Sequence, residues 1–422
     1  MAAGVHHLKG SLESIPGPSA RRLAVRVTVP AERHLRDGHP WLYDTSIESG
    51  DGPAAPGDLA VVFDRKRRFL AAGLYDPTSP IRVRVLQAGE SASIDREFFA
   101  GRIRAAASLR SPLRTGDARR TDGFRLINGE SDLLPGLVVD RYADTLVAKL
   151  YTSAWIPRLA EILPALLEIE PAARLVLRLN RSMREHPDFL HGLSDGQVLH
   201  GPALEGPVVF SENGILFEAE PVGGQKTGFF LDQRDNRSRV ESLARGLDVL
   251  NVFSYTGGFS VYSARGGARS VTSVDLSSPA IAATDRNLSL NRRDRAIAAC
   301  PHRGIAGDAF EVLSAMAREG RRFGLVVLDP PMFAQSKAQV PAALAAYARL
   351  TRLGLSVLAP GGVLVQASCS NRVPAEEFFG TLHQAAMECG RPLREIERTG
   401  HALDHAARFP GAEYLKCLFA RT

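Results

Sequence analysis

From Leu247 to the C-terminus, short apolar runs alternate with helical stretches, and few folds accept that pattern. Strand-like runs cover residues 248–253, 270–275, 323–329 and 363–368, with room for a helix between each pair. One helical stretch opens with Ser277-Ser278-Pro279, a cap with proline near the first turn. Strands separated by helices need crossover connections, so the expected fold is α/β with a doubly wound, mostly parallel, Rossmann-like sheet. Ligands of such sheets sit at the carboxyl ends of the strands.

The first strand leads into Asn251-Val-Phe-Ser-Tyr-Thr-Gly-Gly-Phe-Ser260. Paired glycines let backbone approach a ligand closely where the next helix starts. A dinucleotide site would need Gly-x-Gly-x-x-Gly to seat a pyrophosphate on the helix N-terminus, and Thr256-Gly257-Gly258-Phe259-Ser260 lacks that spacing. A nucleotide-like ligand without a pyrophosphate fits better, and S-adenosylmethionine is the commonest of these. A tight turn with no ligand is the plain alternative.

The second strand ends at Asp275, 18 positions after Gly257, where an acid accepts bonds from ribose hydroxyls or caps a helix. Asp308 falls where a third strand should end and suits an adenine amino group or, equally, a helix N-cap. The fourth strand ends in Asp329-Pro-Pro-Met332-Phe333. Proline fixes φ and removes a donor, giving a rigid loop whose acid faces the pocket. The fifth strand delivers Cys369, in Ser368-Cys-Ser370, at its carboxyl end. A lone core-strand cysteine is usually inert; opposite Asp329 in a cleft, Cys369 reads as a nucleophile. Cys300, Cys389 and Cys417 have no comparable context and read as structural.

Upstream, residues 1–20 are rich in Gly, Ser and Pro and read as loose. Residues 21–87 look β-like: 24–29 and 81–86 alternate, 59–63 is a compact apolar run, and turn signals fall at Asp37-Gly38, Asp51-Gly52-Pro53 and Asp76-Pro77. That spacing fits a small β-barrel. Residues 93–109 read as a helix with Asp95 and Glu97 in its first turn. Strand-like segments at 124–128, 137–142, 145–151 and 174–179, with a helix near 156–167, complete a middle α+β region. Asn213-Gly214 between two alternating runs signals a hairpin.

Composition removes several classes. Hydrophobic residues at 45% and charged residues at 23% are ordinary for a globular chain. No apolar stretch approaches the ~20 residues of a membrane span, so no membrane partner is expected. The N-terminus has no apolar core of a signal peptide. The four cysteines lack Cys-x-x-Cys spacing, so neither a disulfide framework nor a metal site is expected, and the expected setting is a reduced cytoplasm. Net charge is +6, and residues 1–110 carry 16 basic against 12 acidic side chains. A basic excess in one segment suits a phosphate-binding surface or an Arg-rich solvated face.

Read together, these residues resemble the RlmI-type 23S rRNA 5-methylcytosine methyltransferases, along nearly the whole chain from about Leu23. The most specific element is Lys226-Thr-Gly-Phe-Phe-Leu-Asp-Gln-Arg-Asp-Asn-Arg237, a string that composition and spacing leave without meaning. Supporting elements are residues 251–260, Leu328-Asp-Pro-Pro331, Ser368-Cys-Ser370 and Tyr414-Leu-Lys416. Residues 33–41 with Phe69-Leu-Ala-Ala-Gly-Leu-Tyr75 resemble the family's N-terminal PUA domain, and residues 125–140 its central α+β domain. The implied division is a flexible N-terminus (1–22), a PUA-like RNA-binding domain (23–92), a central domain (93–200) and a methyltransferase domain (201–422) that begins with the hairpin.

The resemblance implies that Phe253, Tyr255, Thr256, Gly257, Asp275, Asp308 and Asp329 line the methyl-donor site, with Gln233 and Arg234 nearby. Cys369 matches the catalytic cysteine. The cofactor implied is S-adenosylmethionine. The partner is 23S ribosomal RNA, free or in a large-subunit precursor; a homodimer is left open. Met332 stands where the family usually has lysine, and residues 178–184 match only loosely. Both departures bear on the target nucleotide more than on the reaction. On this reading the Cys369 thiolate adds to cytosine C6, activating C5 for methylation, while Asp329 bonds the amino edge and N3 of the base. The base must be single-stranded or flipped out, stacking on Phe333. Arg33, Arg36 and Arg65-Lys66-Arg67-Arg68 are the expected phosphate grip. Two other readings stay open: methylation of an exocyclic amine, and a non-catalytic RNA-binding assembly factor.

Overall fold

The structure, a computed structural model, describes residues 12–50, 54–115 and 120–422. Residues 1–11 of the expected loose N-terminus, and the Asp51-Gly52-Pro53 turn, lie outside these. The chain divides into two compact units. The first runs through Gly214 and takes in Ala219–Leu231 and Leu403–Pro410; the second holds Ile215–Glu218, Asp232–Ala402 and Gly411–Thr422.

The first unit opens with strands β1 (Arg22–Val27), β2 (Trp41–Tyr43), β3 (Ile47–Gly50), β4 (Leu59–Phe63), β5 (Phe69–Tyr75) and β6 (Ile81–Ala88). Their order is β2-β6-β5-β4-β1-β3. Leu42 and Ile47, from the two end strands, meet in one core with Val25, Val62 and Val83, so the sheet curls around a single apolar centre. The alternation over 24–29 stops short of expectation: Thr28 caps a helix, α1 (Val29–Arg36), with Pro30 in its first turn. Residues 12–15 are packed more firmly than the Gly/Pro content of the expected loose segment suggests. Leu12 is 8% exposed in the core of the central domain, and Ile15 packs against that core.

That domain consists of helices α2 (Arg96–Leu109) and α3 (Leu159–Ile169) against strands β7 (Gly123–Asn128), β8 (Leu137–Tyr142), β9 (Thr145–Leu150), β10 (Arg174–Leu179) and β11 (Val198–His200). The strand order is β11-β10-β9-β8-β7. Asp95 serves as the N-cap of α2, accepting from Phe98 N at 3.0 Å, rather than as a first-turn residue. A turn at Asn213 and Gly214, with φ of 49° and 78°, joins strands β12 (Val208–Glu212) and β13 (Ile215–Ala219) as the hairpin signal requires.

Residues 201–214 fall in the first unit, and so do two further stretches expected with the C-terminal domain. In one, buried Thr227 bonds the Asp140 carboxylate and Tyr142 Oη (3.0 Å), and Phe229 packs edge-on against Phe210. In the other, Asp404 accepts from Arg125 N at 2.9 Å and Phe409 packs against Trp41. Long-range hydrogen bonds of this kind leave no local periodicity.

The second unit is a sheet of β14 (Asp248–Val252), β15 (Ser270–Asp275), β16 (His302–Ala306), β17 (Phe323–Leu328), β18 (Leu358–Ser368), β19 (Arg394–Thr399) and β20 (Lys416–Arg421). Helices α4 (Arg234–Leu243), α5 (Gly258–Arg265), α6 (Ser278–Leu290), α7 (Arg295–Ala299), α8 (Ala309–Arg318), α9 (Val340–Val357) and α10 (Ala375–Glu388) connect the strands. The order is β16-β15-β14-β17-β18-β20-β19, parallel except that β20 runs antiparallel to both neighbours. Val249, Leu250, Leu325, Val326 and Leu364 are buried, the burial expected of strands covered on both faces. The order reverses between β14 and β17, which places the cleft at their carboxyl ends.

Candidate active site

The turn after β14 is built from unusual backbone. Phe253, Tyr255 and Gly257 have φ of 60°, 46° and 78°. Positive φ is rare for bulky residues and persists only where the surroundings impose it. Here they do. Ser254 N donates to Val274 O (2.9 Å), Tyr255 N to Asp275 Oδ2 (2.7 Å), and Asn287 Nδ2 to Thr256 O (2.8 Å). A Cβ on Gly257 would lie 2.3 Å from Thr284 Cγ2, so only glycine lets this turn sit against α6.

Asp275 does not cap a helix; it ties two turns together. Its Oδ1 accepts from Ser277 N at 2.9 Å and its Oδ2 from Tyr255 N, and Ser277 is itself the cap of α6. A carboxylate has lone pairs left for ribose hydroxyls after such bonds. Asp308 is exposed and caps α8, accepting from Phe310 N and Glu311 N, both through Oδ1. The residues present suit a donor such as S-adenosylmethionine. The turn carries two buried hydroxyls without a protein partner, Ser254 Oγ and Thr256 Oγ1, which a polar ligand would satisfy.

Asp329, at the end of β17, accepts from Gln233 Nε2 at 2.9 Å. Gln233 is held in turn by Asn236 Nδ2, whose Oδ1 accepts from the Thr399 hydroxyl on β19. Gln233, placed near the donor by resemblance, thus bonds Asp329. Arg234 is buried, its Nε on Asp235 at 3.2 Å.

Cys369 is half-buried between two fully buried serines. Ser368 Oγ shares a 2.8 Å hydrogen bond with Tyr347 Oη on α9, and Ser370 Oγ donates to Ala334 O at 3.3 Å. The second bond joins the cysteine loop to the Asp329-Pro-Pro loop. Burial pushes the Tyr347 phenol up to about 12, with the nearby Cys369 and Asp329 adding to the rise. Met332 is 42% exposed, while Phe333 packs on the Tyr347 ring at 5.0 Å. Of the remaining cysteines, Cys417 is buried on β20 and burial pushes its thiol up; Cys300 is half-buried and Cys389 exposed. Among the described residues no group of His, Cys, Asp and Glu has the arrangement of a metal site. No helix there is long and apolar enough to cross a membrane.

The basic residues of the first unit divide into two sets. Asp64, buried at the end of β4, accepts from Lys66 N, Arg68 N and Arg68 Nε at 2.8–2.9 Å and from Arg36 Nη2 at 3.3 Å. Its carboxyl is held below the usual range, chiefly by the Arg68 backbone N–H. Arg36 and Arg68, though exposed, are therefore paired with Asp64, while Arg65, Lys66 and Arg67 stand exposed at the loop tip and Arg33 on α1. A concavity in the central domain lined by Arg114 and Arg141 is no bare anion site, because both arginines pair with Glu170 (2.7 and 3.1 Å).

A seven-stranded sheet in this order, with a glycine turn after its first strand, defines a class I S-adenosylmethionine-dependent methyltransferase. Residues 178–420 match the S-adenosylmethionine-dependent methyltransferase family, and residues 25–88 match a PUA-like domain. The chain is 50% identical over 411 residues to a ribosomal RNA large subunit methyltransferase of Deinococcus radiodurans, covering 96% of this chain and 99% of that one. It is 36% identical to ribosomal RNA large subunit methyltransferase I of Aeromonas salmonicida, over 92% and 97%. The same fold occurs in a methyltransferase solved with SAH (TM-score 0.79, 22% identity, 95% of this chain and 100% of that one). The chain belongs to the RlmI-like family of ribosomal RNA large subunit methyltransferases, and its methyl donor is S-adenosylmethionine.

Sequence reasoning missed Tyr347 and the contact Gln233 makes, and gave Lys416 no role. Tyr347 sits at ordinary helical spacing, and nothing local marks it.

Proposed function

We propose that this protein methylates C5 of a cytosine in large-subunit ribosomal RNA through a covalent bond between Cys369 and C6. The carrying observation is the pair of adjacent strand ends: Asp329 after β17 and Cys369 after β18, the latter fixed on both sides by buried serines. The turn after β14, Asp275 and Asp308 form the donor side. Bound there, S-adenosylmethionine supplies an electrophilic methyl group on sulfonium.

The protein's own groups do the rest. C5 of cytosine is a poor nucleophile until sulfur adds at C6, which pushes electron density onto C5. Asp329, steadied by Gln233, bonds the amino edge of the base and stabilises charge that develops on the ring. Once C5 is methylated, loss of its proton to a base and departure of the thiolate restore the aromatic ring. Arg33, Arg65, Lys66 and Arg67 grip phosphate without reading sequence, with smaller shares from Arg36 and Arg68. Phe333 offers its ring to the extruded base from its seat on Tyr347.

The test is Cys369→Ala assayed with labelled donor on ribosomal RNA. The expected loss is at least about a thousandfold with donor affinity unchanged, because the covalent route closes. Full retained methylation, or label found on an adenine or guanine amine, would overturn the assignment.

A further inference from the structure

The β18–β20 ladder pairs Lys416 with Ser368, and the Lys416 ammonium reaches past Cys369 to donate to Ser370 O. A second bond goes to Tyr414 O at 3.2 Å. Lys416 is 7% exposed, so its ammonium is buried against the backbone of the segment that carries Cys369. An ammonium has three donors, and the two carbonyls that take its bonds carry no net charge. A buried cation served by dipoles alone is costly unless an anion lies near.

We propose that Lys416 is the positioning residue for the Cys369 thiolate, a fixed buried counter-charge for the sulfur at the end of β18. The inference rests on the reading of Cys369 as nucleophile. Burial pulls the Lys416 ammonium below its usual range, and Cys369, ahead of Glu413, pulls it back up. The attraction acts equally on the sulfur and favours its ionised form. Beside Lys416, the charged and titratable groups near Cys369 include Tyr347, Asp329 and Arg372. Tyr347, on α9, stays a neutral phenol, and Asp329, at the end of β17, is an anion that opposes a second one. Arg372, three residues along the loop, is exposed. Met332 stands where the resemblance expects lysine and adds no charge. The thiol proton leaves to solvent, the ammonium keeps its own, and no electrons are exchanged.

The test is alkylation by iodoacetamide across about pH 5 to 10, followed peptide by peptide in the whole protein; only the thiolate displaces iodide. Lys416→Met should raise the Cys369 midpoint by about one pH unit, about a tenfold loss of thiolate at neutral pH. The exposed Cys389 serves as internal reference and should not move. Lys416→Arg, which keeps the charge, should restore most of the rate. An unchanged Cys369 midpoint in Lys416→Met overturns the proposal. Should that variant fail to fold, the unaltered protein decides: a Cys369 midpoint below that of Cys389 supports the ion pair, and one at or above it overturns it. Retained methylation by Cys369→Ala would remove the nucleophile and leave this titration standing, so the two failures are distinguishable.

Discussion

The proposed donor side and the proposed base side of the cleft are built by different means. After β14 the shape is made by backbone: three residues at positive φ, and an Asp275 carboxylate that grips the amides of Tyr255 and Ser277. After β17 and β18 it is made by side chains: Gln233 on Asp329, Tyr347 on Ser368, Lys416 across Cys369. On the proposed function, backbone geometry holds a ligand common to many enzymes, whereas side chains from distant segments fix one chemistry. Changes on the first side should therefore alter donor affinity, and changes on the second should alter turnover at constant donor affinity.

The strongest challenge on the donor side is Gly257→Val. Its β-branched side chain would meet Thr284 and would have to adopt a φ of 78°. Strain of that kind costs on the order of 1–3 kcal/mol, so the donor Kd should rise by about tenfold to a hundredfold. Calorimetry with S-adenosylmethionine measures this. An unchanged Kd would show that the turn does not hold the donor, and the division drawn above would fail.

The same division governs what the chain discloses before folding. The turn proposed to hold the donor was legible because its signals are local: an apolar strand, a glycine pair, an acid at the next strand end. The base side was half legible. Asp329 and Cys369 announced themselves at strand ends, but their supports lie far off in sequence. Gln233 is 96 positions from Asp329, Tyr347 is 21 from Ser368, and Lys416 is 46 from Ser370. Strand β19 was equally silent, because its residues are exposed or half-exposed and show no alternation; pairing with β20 makes it a strand. Helix α1 had a legible start in Thr28 and Pro30, overridden by the β-like alternation before it.

Gln233→Leu tests the base side with a smaller expected effect. It removes a hydrogen bond to a carboxylate, worth about 1.5–3 kcal/mol, and leaves a buried Asn236 amide without its acceptor. Turnover should fall by about tenfold as Asp329 loses its orientation, with donor Kd within about twofold of the original. Steady-state kinetics alongside calorimetry separates the two. A rise in donor Kd with turnover intact would return Gln233 to the donor side, where the family resemblance puts it.

Tyr347→Phe is the mildest break, and its signature is a pH dependence. The phenol sits at about 12 in the folded chain against about 10 when unfolded. An acid whose folded value is raised contributes fully below the unfolded value and loses that contribution as pH climbs to the folded one. Stability should therefore fall between about pH 10 and 12. The variant should flatten part of that slope, with other raised phenols, Tyr142 and Tyr151 among them, keeping a share of it. At neutral pH the lost bond to Ser368 should cost about 0.5–1.5 kcal/mol and slow methylation a few-fold, with donor affinity unmoved. Urea unfolding at neutral and alkaline pH reads both quantities. An unaltered alkaline slope would mean that Tyr347 is not the group burial has shifted, and its tie to Ser368 would then be packing alone.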